Sequence, residues 1–264
     1  MFDSEHDTLA NEETAPRRRG IYLLPNLCTT AALFCGFFTV VSAIAGKFEQ
    51  AGLALFLAGV FDGLDGRIAR LTNTQSDFGK EYDSMSDLIS FGMAPALLVY
   101  MWVLEVTPVV RGLPIAWLVT FFYVACAALR LARFNTQVGK VDGDYFVGLP
   151  SPTAAGLVGF GVWAAARLGL DPVILAWPML ILTAIAAVLM VSSLRFFSFK
   201  SLNFGGRVPF RYLLGIVLLF ILIAMEPSLV MWLGALVYTV GSVVVDLRRR
   251  VAGEDSSNVS SSVE

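Results

Sequence analysis

Apolar residues along this chain fall into eight long runs that shorter polar segments separate. The runs cover roughly residues 23–46, 51–69, 85–107, 113–134, 152–168, 173–194, 210–225 and 229–246. Most of them approach the roughly 20 apolar residues that a helix needs to cross the hydrocarbon core of a bilayer. The pattern therefore predicts an all-α integral membrane protein with about eight transmembrane helices.

Polar segments lie at both ends of the chain. Residues 1–20 carry several acidic side chains and end near Arg17–Arg19, and residues 251–264 are rich in serine. Segments with so few apolar residues cannot bury enough surface to fold alone. We expect both segments to be disordered tails.

Composition agrees with a membrane protein and excludes several kinds of chemistry. The chain is 56% hydrophobic and 15% charged, whereas soluble domains average roughly 45–50% apolar and 25% charged residues. The single histidine, His6, lies in the N-terminal tail, and the three cysteines form no Cys-x-x-Cys pair. These features argue against zinc sites and histidine nucleophiles. We expect no nucleic-acid partner.

The basic residues are divided unequally between the two sides of the predicted bundle. With eight spans, one side receives 16 of the 19 basic residues, and the other receives Lys47, Arg111 and Arg167. Basic loops stay in the cytoplasm. The sequence therefore predicts a multi-pass protein of the cell (inner) membrane with both termini in the cytoplasm.

Four aspartates lie within the segment Phe61–Gly92, "FDGLDGRIARLTNTQSDFGKEYDSMSDLISFG". Asp62 and Asp65 share a helix face at the end of the second run, and Asp83 and Asp87 share one at the start of the third. Antiparallel helices would bring both pairs together, where their charges repel unless cations bridge them. Carboxylates alone suit Mg²⁺ or Mn²⁺, and one carboxylate can serve two ions. The alternative is that these aspartates only cap helices.

Small residues and an arginine accompany the aspartates. Gly63, Gly66, Ala69 and Gly79 would let a flat group approach the backbone, although small residues also permit close helix packing. Arg70 could bind a phosphate through a forked contact.

The segment "DGLDGRIARLTNTQSDFGKEYDSMSD" fits the pattern D-x2-D-G-x2-A-R-x8-G-x3-D-x3-D at all eight fixed positions. In this it resembles the CDP-alcohol phosphotransferase family. The resemblance implies a membrane enzyme that moves a phosphate-linked group from a CDP-activated donor to an alcohol. It also implies a homodimer with a six-helix core, here residues 21–205, to which residues 206–250 add a C-terminal helical pair.

Four further segments resemble the phosphatidylserine synthases of bacteria and archaea within this family. They are "LPNLCTTAALFCGF" (24–37), "ALRLARFN" (128–135), "FVGLPSPTAA" (146–155) and "FFSFKSL" (196–202). The implied substrates are CDP-diacylglycerol, drawn from the membrane lipids, and L-serine. The products would be phosphatidylserine and CMP.

The same resemblance implies roles for individual residues. Asp62, Asp65 and Asp83 would hold one divalent cation. Asp62, Asp83 and Asp87 would hold a second, and Asp87 would also take the proton from the serine hydroxyl. The residues implied to bind CDP are Asn26, Thr29, Gly66, Arg70, Ser76 and Gly79. For Asn26 a helix cap is the alternative. A single displacement is favoured, because no histidine is available to carry a phosphoryl group.

A serine pocket needs a cation for the substrate carboxylate. Arg130 and Arg133 are candidates, although both could instead anchor a helix end at the membrane surface. Asn135 and Lys200 are weaker candidates. Ser151 could contact serine, but the turn "GLPSP" explains it equally well.

Two other functions remain open at this point. Another acceptor, glycerol-3-phosphate or an inositol phosphate, would require a more basic pocket. A divalent-cation transporter would carry its acids near the bilayer midplane on broken helices.

Overall fold

The computed structural model describes residues 23–72, 74, 76–110, 113–137, 145–197 and 210–251. Within these ranges the chain forms eight helices, which confirms the predicted all-α architecture. They are α1 (Leu23–Ile44), α2 (Phe48–Leu71), α3 (Asp77–Val103), α4 (Ile115–Gln137), α5 (Ser151–Arg167), α6 (Pro172–Val191), α7 (Phe210–Met225) and α8 (Pro227–Val251). The predicted tails lie outside the described residues, except for Val251, which ends α8.

Two short antiparallel strand pairs, which the apolar pattern did not predict, connect helix ends. Strand β1 (Val109–Val110) pairs with β2 (Leu113–Pro114). Strand β3 (Tyr145–Val147) pairs with β4 (Arg195–Phe197). The second pair joins the segment before α5 to the segment after α6.

The third helix begins earlier than its apolar run indicates. It starts at Asp77, eight residues before the predicted start at residue 85, because Ser76 caps it: the Ser76 Oγ accepts a hydrogen bond of 3.0 Å from the Gly79 N–H. Asp83 and Asp87 are therefore the seventh and eleventh residues of α3. The expectation that they lie at the start of that helix is wrong.

Helix α5 lies at the centre of the bundle. It packs against α2, α3, α6 and α8, and Leu157, Val158 and Val162 are fully buried in these contacts. Small residues allow the close approach, since a Cβ on Gly52 of α2 would overlap the Trp163 side chain. The core therefore depends on small residues facing large ones.

The outer surface is apolar, as a lipid environment requires. Large side chains such as Phe34, Ile181 and Phe220 are more than half exposed. By length and composition, five of the helices in the described part of the chain could cross a membrane: α1, α3, α4, α6 and α8. The helices α5 and α7 are shorter, with 17 and 16 residues. The chain is a multi-pass membrane protein.

Candidate active site

Three carboxyl groups converge between α2 and α3. Asp62 comes from α2, and Asp83 and Asp87 come from α3. Each offers an oxygen atom, and these three oxygens lie within 4.8 Å of one another. The carboxyl groups of Asp62 and Asp87 are close enough for a hydrogen bond. The short connection between two antiparallel helices brings them together.

This carboxylate cluster (Asp62, Asp83 and Asp87) fits a divalent cation. Three carboxylates this close repel one another when ionised, unless a cation or proton neutralises them. The Asp83 Oδ1 is buried and has no hydrogen-bond partner among the described residues, and such an orphaned acceptor is expected of a metal ligand. Oxygen ligands alone suit Mg²⁺ or Mn²⁺.

The fourth aspartate, Asp65, lies beside the cluster but outside the group of three. It is buried, at 5% exposure. Its Oδ2 accepts a hydrogen bond of 2.7 Å from the Thr29 hydroxyl of α1. The Asp65 carboxyl group also accepts a hydrogen bond from the Gly66 backbone N–H. The assignment of Asp65 to a metal stays a prediction.

A cavity of about 420 Å³ adjoins Asp65 and Asp83. All six residues that the family resemblance assigns to CDP line it: Asn26, Thr29, Gly66, Arg70, Ser76 and Gly79. They come from α1, α2 and the start of α3, which meet at this end of the bundle. Asn26 is the fourth residue of α1 and so does not cap that helix. The structure thus gathers these residues around one space, and CDP binding there stays a prediction.

Arg70 is positioned for an anion in this cavity. Its Nε donates a hydrogen bond of 2.9 Å to the Gly66 carbonyl oxygen one turn earlier on α2. Its two terminal nitrogens have no partner within the described residues. The backbone contact fixes the guanidinium group, whose remaining N–H groups can bind phosphate oxygens.

Five cavity residues were absent from the sequence-based site: Pro25, Thr74, Lys80, Ser84 and Phe134. Helical spacing could have identified two of them, since Lys80 and Ser84 lie one turn apart on the α3 face that carries Asp83. Lys80 also forms an exposed ion pair of 3.5 Å with Asp77. Phe134 had no such signal, because it approaches from α4.

Arg130 and Ser151, both predicted to contact serine, meet next to the cluster. The Arg130 Nη1 donates a hydrogen bond to the Ser151 Oγ. Arg130 also interacts electrostatically with Asp87, and its Nε is buried with no hydrogen-bond partner among the described residues. A largely buried guanidinium group beside Asp87 can bind an anionic group there.

The turn before α5 holds Ser151 in position. Gly148 adopts a φ of 82°, which favours glycine, and a Cβ there would overlap the Met190 carbonyl oxygen. The Gly148 N–H donates to the Leu194 carbonyl oxygen at 2.8 Å. Ser151 is fully buried as a result.

The remaining candidates for the serine pocket have different outcomes. Asn135 lines the cavity, where its Nδ2 donates to the Ser84 Oγ at 3.0 Å. Arg133 does not line it; its Nη1 is 3.4 Å from the Val191 carbonyl oxygen at the end of α6. Lys200 lies outside the described residues.

A π-helical turn, Leu88–Met93, follows Asp87 directly within α3. The Ala94 N–H bonds to the Ile89 carbonyl oxygen, five residues earlier. The Tyr123 hydroxyl of α4 donates to the Phe91 carbonyl oxygen at 3.1 Å. Such wide turns occur often at functional sites, and this one is held by α4.

The sequence of the chain matches one family of known proteins. The sequence model described as CDP-alcohol phosphatidyltransferase matches residues 22–189, which include α1–α5 and most of α6. The CDP-diacylglycerol–serine O-phosphatidyltransferase of Helicobacter pylori (strain ATCC 700392 / 26695) is 35% identical over 209 residues, 76% of this chain and 83% of the relative. The Saccharomyces cerevisiae protein of the same name is 38% identical over 151 residues, 52% of each chain. The archaetidylserine synthase of Methanothermobacter thermautotrophicus is 40% identical over 134 residues, 50% of this chain and 54% of the relative.

Proposed function

Because this chain belongs to the CDP-alcohol phosphatidyltransferase family, we propose that it transfers the phosphatidyl group of CDP-diacylglycerol to the hydroxyl group of L-serine. The products are phosphatidylserine and CMP. One observation carries the proposal: three carboxylates converge at one end of a bundle of apolar helices, and one of them, Asp83, lines a cavity with many polar side chains. A lipid with a charged nucleotide head has these two requirements, a polar site for the head and a membrane for the chains.

The donor head would occupy the 420 Å³ cavity. Arg70 would bind a phosphate oxygen, and Gly66 and Gly79 would let the nucleotide approach the backbone. Asn26, Thr29 and Ser76 supply hydroxyl and amide groups for the remaining polar atoms of CDP.

The cluster would hold divalent cations, Mg²⁺ or Mn²⁺, two per site with Asp65 as the additional ligand. When bound, such ions stabilise the negative charge on the diphosphate and on the departing CMP. Asp62, Asp83 and Asp87 would hold the ions beside the cavity, which Asp83 lines.

Asp87 would take the proton from the serine hydroxyl, because its carboxyl group interacts both with those of Asp62 and Asp83 and with the guanidinium group of Arg130. The serine oxygen then bonds to the lipid-bearing phosphorus, and the bond to CMP breaks with its electron pair leaving on CMP. Arg130 would bind the serine carboxylate, with Asn135 and Ser151 nearby. A single displacement is favoured because the only histidine, His6, lies in the N-terminal tail.

We further propose a homodimer in the inner membrane whose site faces the cytoplasm. The unequal division of basic residues supports this orientation. The helix ends that carry the site also carry several of these basic residues, among them Arg70, Lys80, Arg130 and Arg133.

An acceptor panel tests the reaction. The purified protein, reconstituted in liposomes with CDP-diacylglycerol and Mg²⁺ or Mn²⁺, is given labelled serine, glycerol-3-phosphate or an inositol phosphate. We expect CMP release and labelled lipid with serine only. Consumption of a phosphorylated acceptor alone would contradict the serine assignment. Metal flux into the liposomes without CMP release would indicate a transporter instead.

A further inference from the structure

A second cavity, of about 630 Å³, lies between α2, α5 and α8. Its walls are mainly apolar and include Phe56, Val60, Phe160, Met231, Ala235 and Tyr238. We call it the α8 groove. No residue of the 420 Å³ cavity lines it, so the two spaces are distinct.

The α8 groove lies next to the catalytic residues. Gly59 and Val60 line it and precede Asp62 by one turn or less of α2. At the start of α5, Pro150 and Pro152 line it and flank Ser151, which accepts the hydrogen bond from Arg130. Tyr238 of α8 also interacts electrostatically with Arg130. The groove therefore adjoins the cluster on the side of Arg130.

Helix α8, which forms one wall, is fixed to the rest of the bundle. The Trp232 Nε1 donates to the Leu157 carbonyl oxygen of α5 at 3.0 Å. Nearer its end, the buried Asp246 accepts hydrogen bonds from the Arg195 N–H and from the Arg250 Nε. Yet α8 lies outside residues 22–189, which match the family model.

We propose that the α8 groove binds one acyl chain of the lipid donor, so that α8 helps to determine which chain lengths are used. This inference rests on the proposed function. A lipid whose head occupies the polar cavity must keep its chains in apolar surroundings, and the groove offers such surroundings beside the reacting phosphorus. Its volume lies within the roughly 300–1,000 Å³ typical of ligand sites.

The substitution Gly234→Leu tests the proposal. Gly234 lines the groove, and a Cβ there would meet no atom within 4 Å, so the new side chain enters open space. With a donor carrying long chains, we expect kcat/KM to fall about tenfold, the effect of losing burial of about two methylene groups. With a donor carrying two short chains that do not reach the groove, kcat/KM should change less than about twofold.

The matched control is Gly215→Leu on α7. Gly215 is also exposed with open space around its Cβ position, but it does not line the groove. We expect this variant to use both donors as the wild type does. Thermal unfolding of both variants shows whether the folded state is intact.

A donor that carries a photoreactive group midway along one long chain gives a second, independent measurement. Irradiation of the wild-type protein should label peptides of α8 near Met231 and Gly234 more strongly than peptides of α7. Equal labelling of α7 and α8 would contradict the proposal.

The remaining outcomes separate this inference from the proposed function. If the wild type is active but Gly234→Leu affects both donors equally, or neither, the groove does not bind the chain. If Gly234→Leu instead separates a dimer into monomers, the groove is an interface between copies. A wild type that releases no CMP with either donor overturns the proposed function as well.

Discussion

At the scale of single residues, Asp87 interacts with both acidic and basic side chains. Its carboxyl group interacts with those of Asp62 and Asp83 and with the guanidinium group of Arg130. A carboxylate that belongs to the proposed metal site and also contacts the cation proposed for the acceptor could serve both substrates. This position is why we assign the proton transfer to Asp87 rather than to Asp65, which bonds to Thr29 instead.

The first prediction concerns Asp87→Asn. An amide cannot accept the serine proton, and general base catalysis contributes roughly 10²–10⁴ in rate. We expect CMP release to fall by at least about that factor while donor binding largely remains. Asp62→Asn should in addition weaken the dependence of the rate on metal concentration. Rates measured across a metal titration check both variants.

The control for these variants is Asp77→Asn. Asp77 is an exposed residue at the start of α3 and pairs only with Lys80 in the described structure. Such surface pairs contribute about 1 kcal/mol or less. We expect near-normal turnover. Near-normal turnover of Asp87→Asn would remove that residue from the mechanism.

The second prediction separates Arg130 from Arg133. Lysine keeps the charge but loses the forked contact. We expect Arg130→Lys to raise KM for serine about tenfold or more, since it also loses the fixed bond to Ser151. KM for the lipid donor should change little. Arg133→Lys, which alters a contact at the end of α6, should have the smaller effect on KM for serine. The opposite order would assign the serine carboxylate to Arg133.

At the scale of helices, the π-helical turn in α3 links the site to the core. Ser86 and Ser90 donate to the carbonyl oxygens of Thr29 and Ala32 on α1, at 3.3 and 3.2 Å. Tyr123 holds the same turn from α4. These contacts set the direction in which the Asp87 side chain projects from α3.

The third prediction is that Tyr123→Phe acts on the site through this turn. Removing the hydroxyl leaves the buried Phe91 carbonyl oxygen without that donor, which costs about 1–3 kcal/mol of stability. We expect kcat to fall more than KM rises, because Asp87 is positioned less well. Thermal unfolding and steady-state kinetics check this.

Tyr100→Phe is the control, because the Tyr100 hydroxyl has no hydrogen bond within the described residues and Tyr100 lies on α3, the helix that carries Phe91. We expect its stability and its kinetics to match those of the wild type. A similar loss in both variants would show that Tyr123 acts through packing alone.

At the scale of the whole molecule, bound cations should stabilise the fold. The cluster joins α2 to α3, and a ligand that binds only the folded state adds about 2.7 kcal/mol at a concentration 100 times its Kd. The fourth prediction is that a chelator lowers the unfolding temperature and abolishes CMP release. Added Mg²⁺ or Mn²⁺ should restore both.

The same measurement on Asp83→Asn gives the internal control. Asp83 has an oxygen without a hydrogen-bond partner in the described structure, so its loss should remove the metal-dependent part of the stability. A chelator should then change the unfolding temperature of this variant little. A wild type whose unfolding temperature does not respond to metal would contradict the cluster as a cation site.

Sequence patterns predicted the helices well and their ends less well. The eight runs correspond to eight helices, because a membrane requires every spanning segment to satisfy its backbone hydrogen bonds internally. The start of α3 was wrong by eight residues, since a polar first turn capped by Ser76 carries no apolar signal. The strand pair β3–β4 joins segments about 50 residues apart and had no local signal either.

The sequence alone determined which acidic residues could form the candidate site, because the spacing of the aspartates on two helices fixes which side chains share a face. Only the tertiary structure decided which of them meet. It joins Ser84 to Asn135 and Arg130 to Ser151, while Arg133 turns to α6. It also sets α8 against α5 beside the site. Helix spacing is a local property of the backbone, whereas these contacts depend on how separate helices pack.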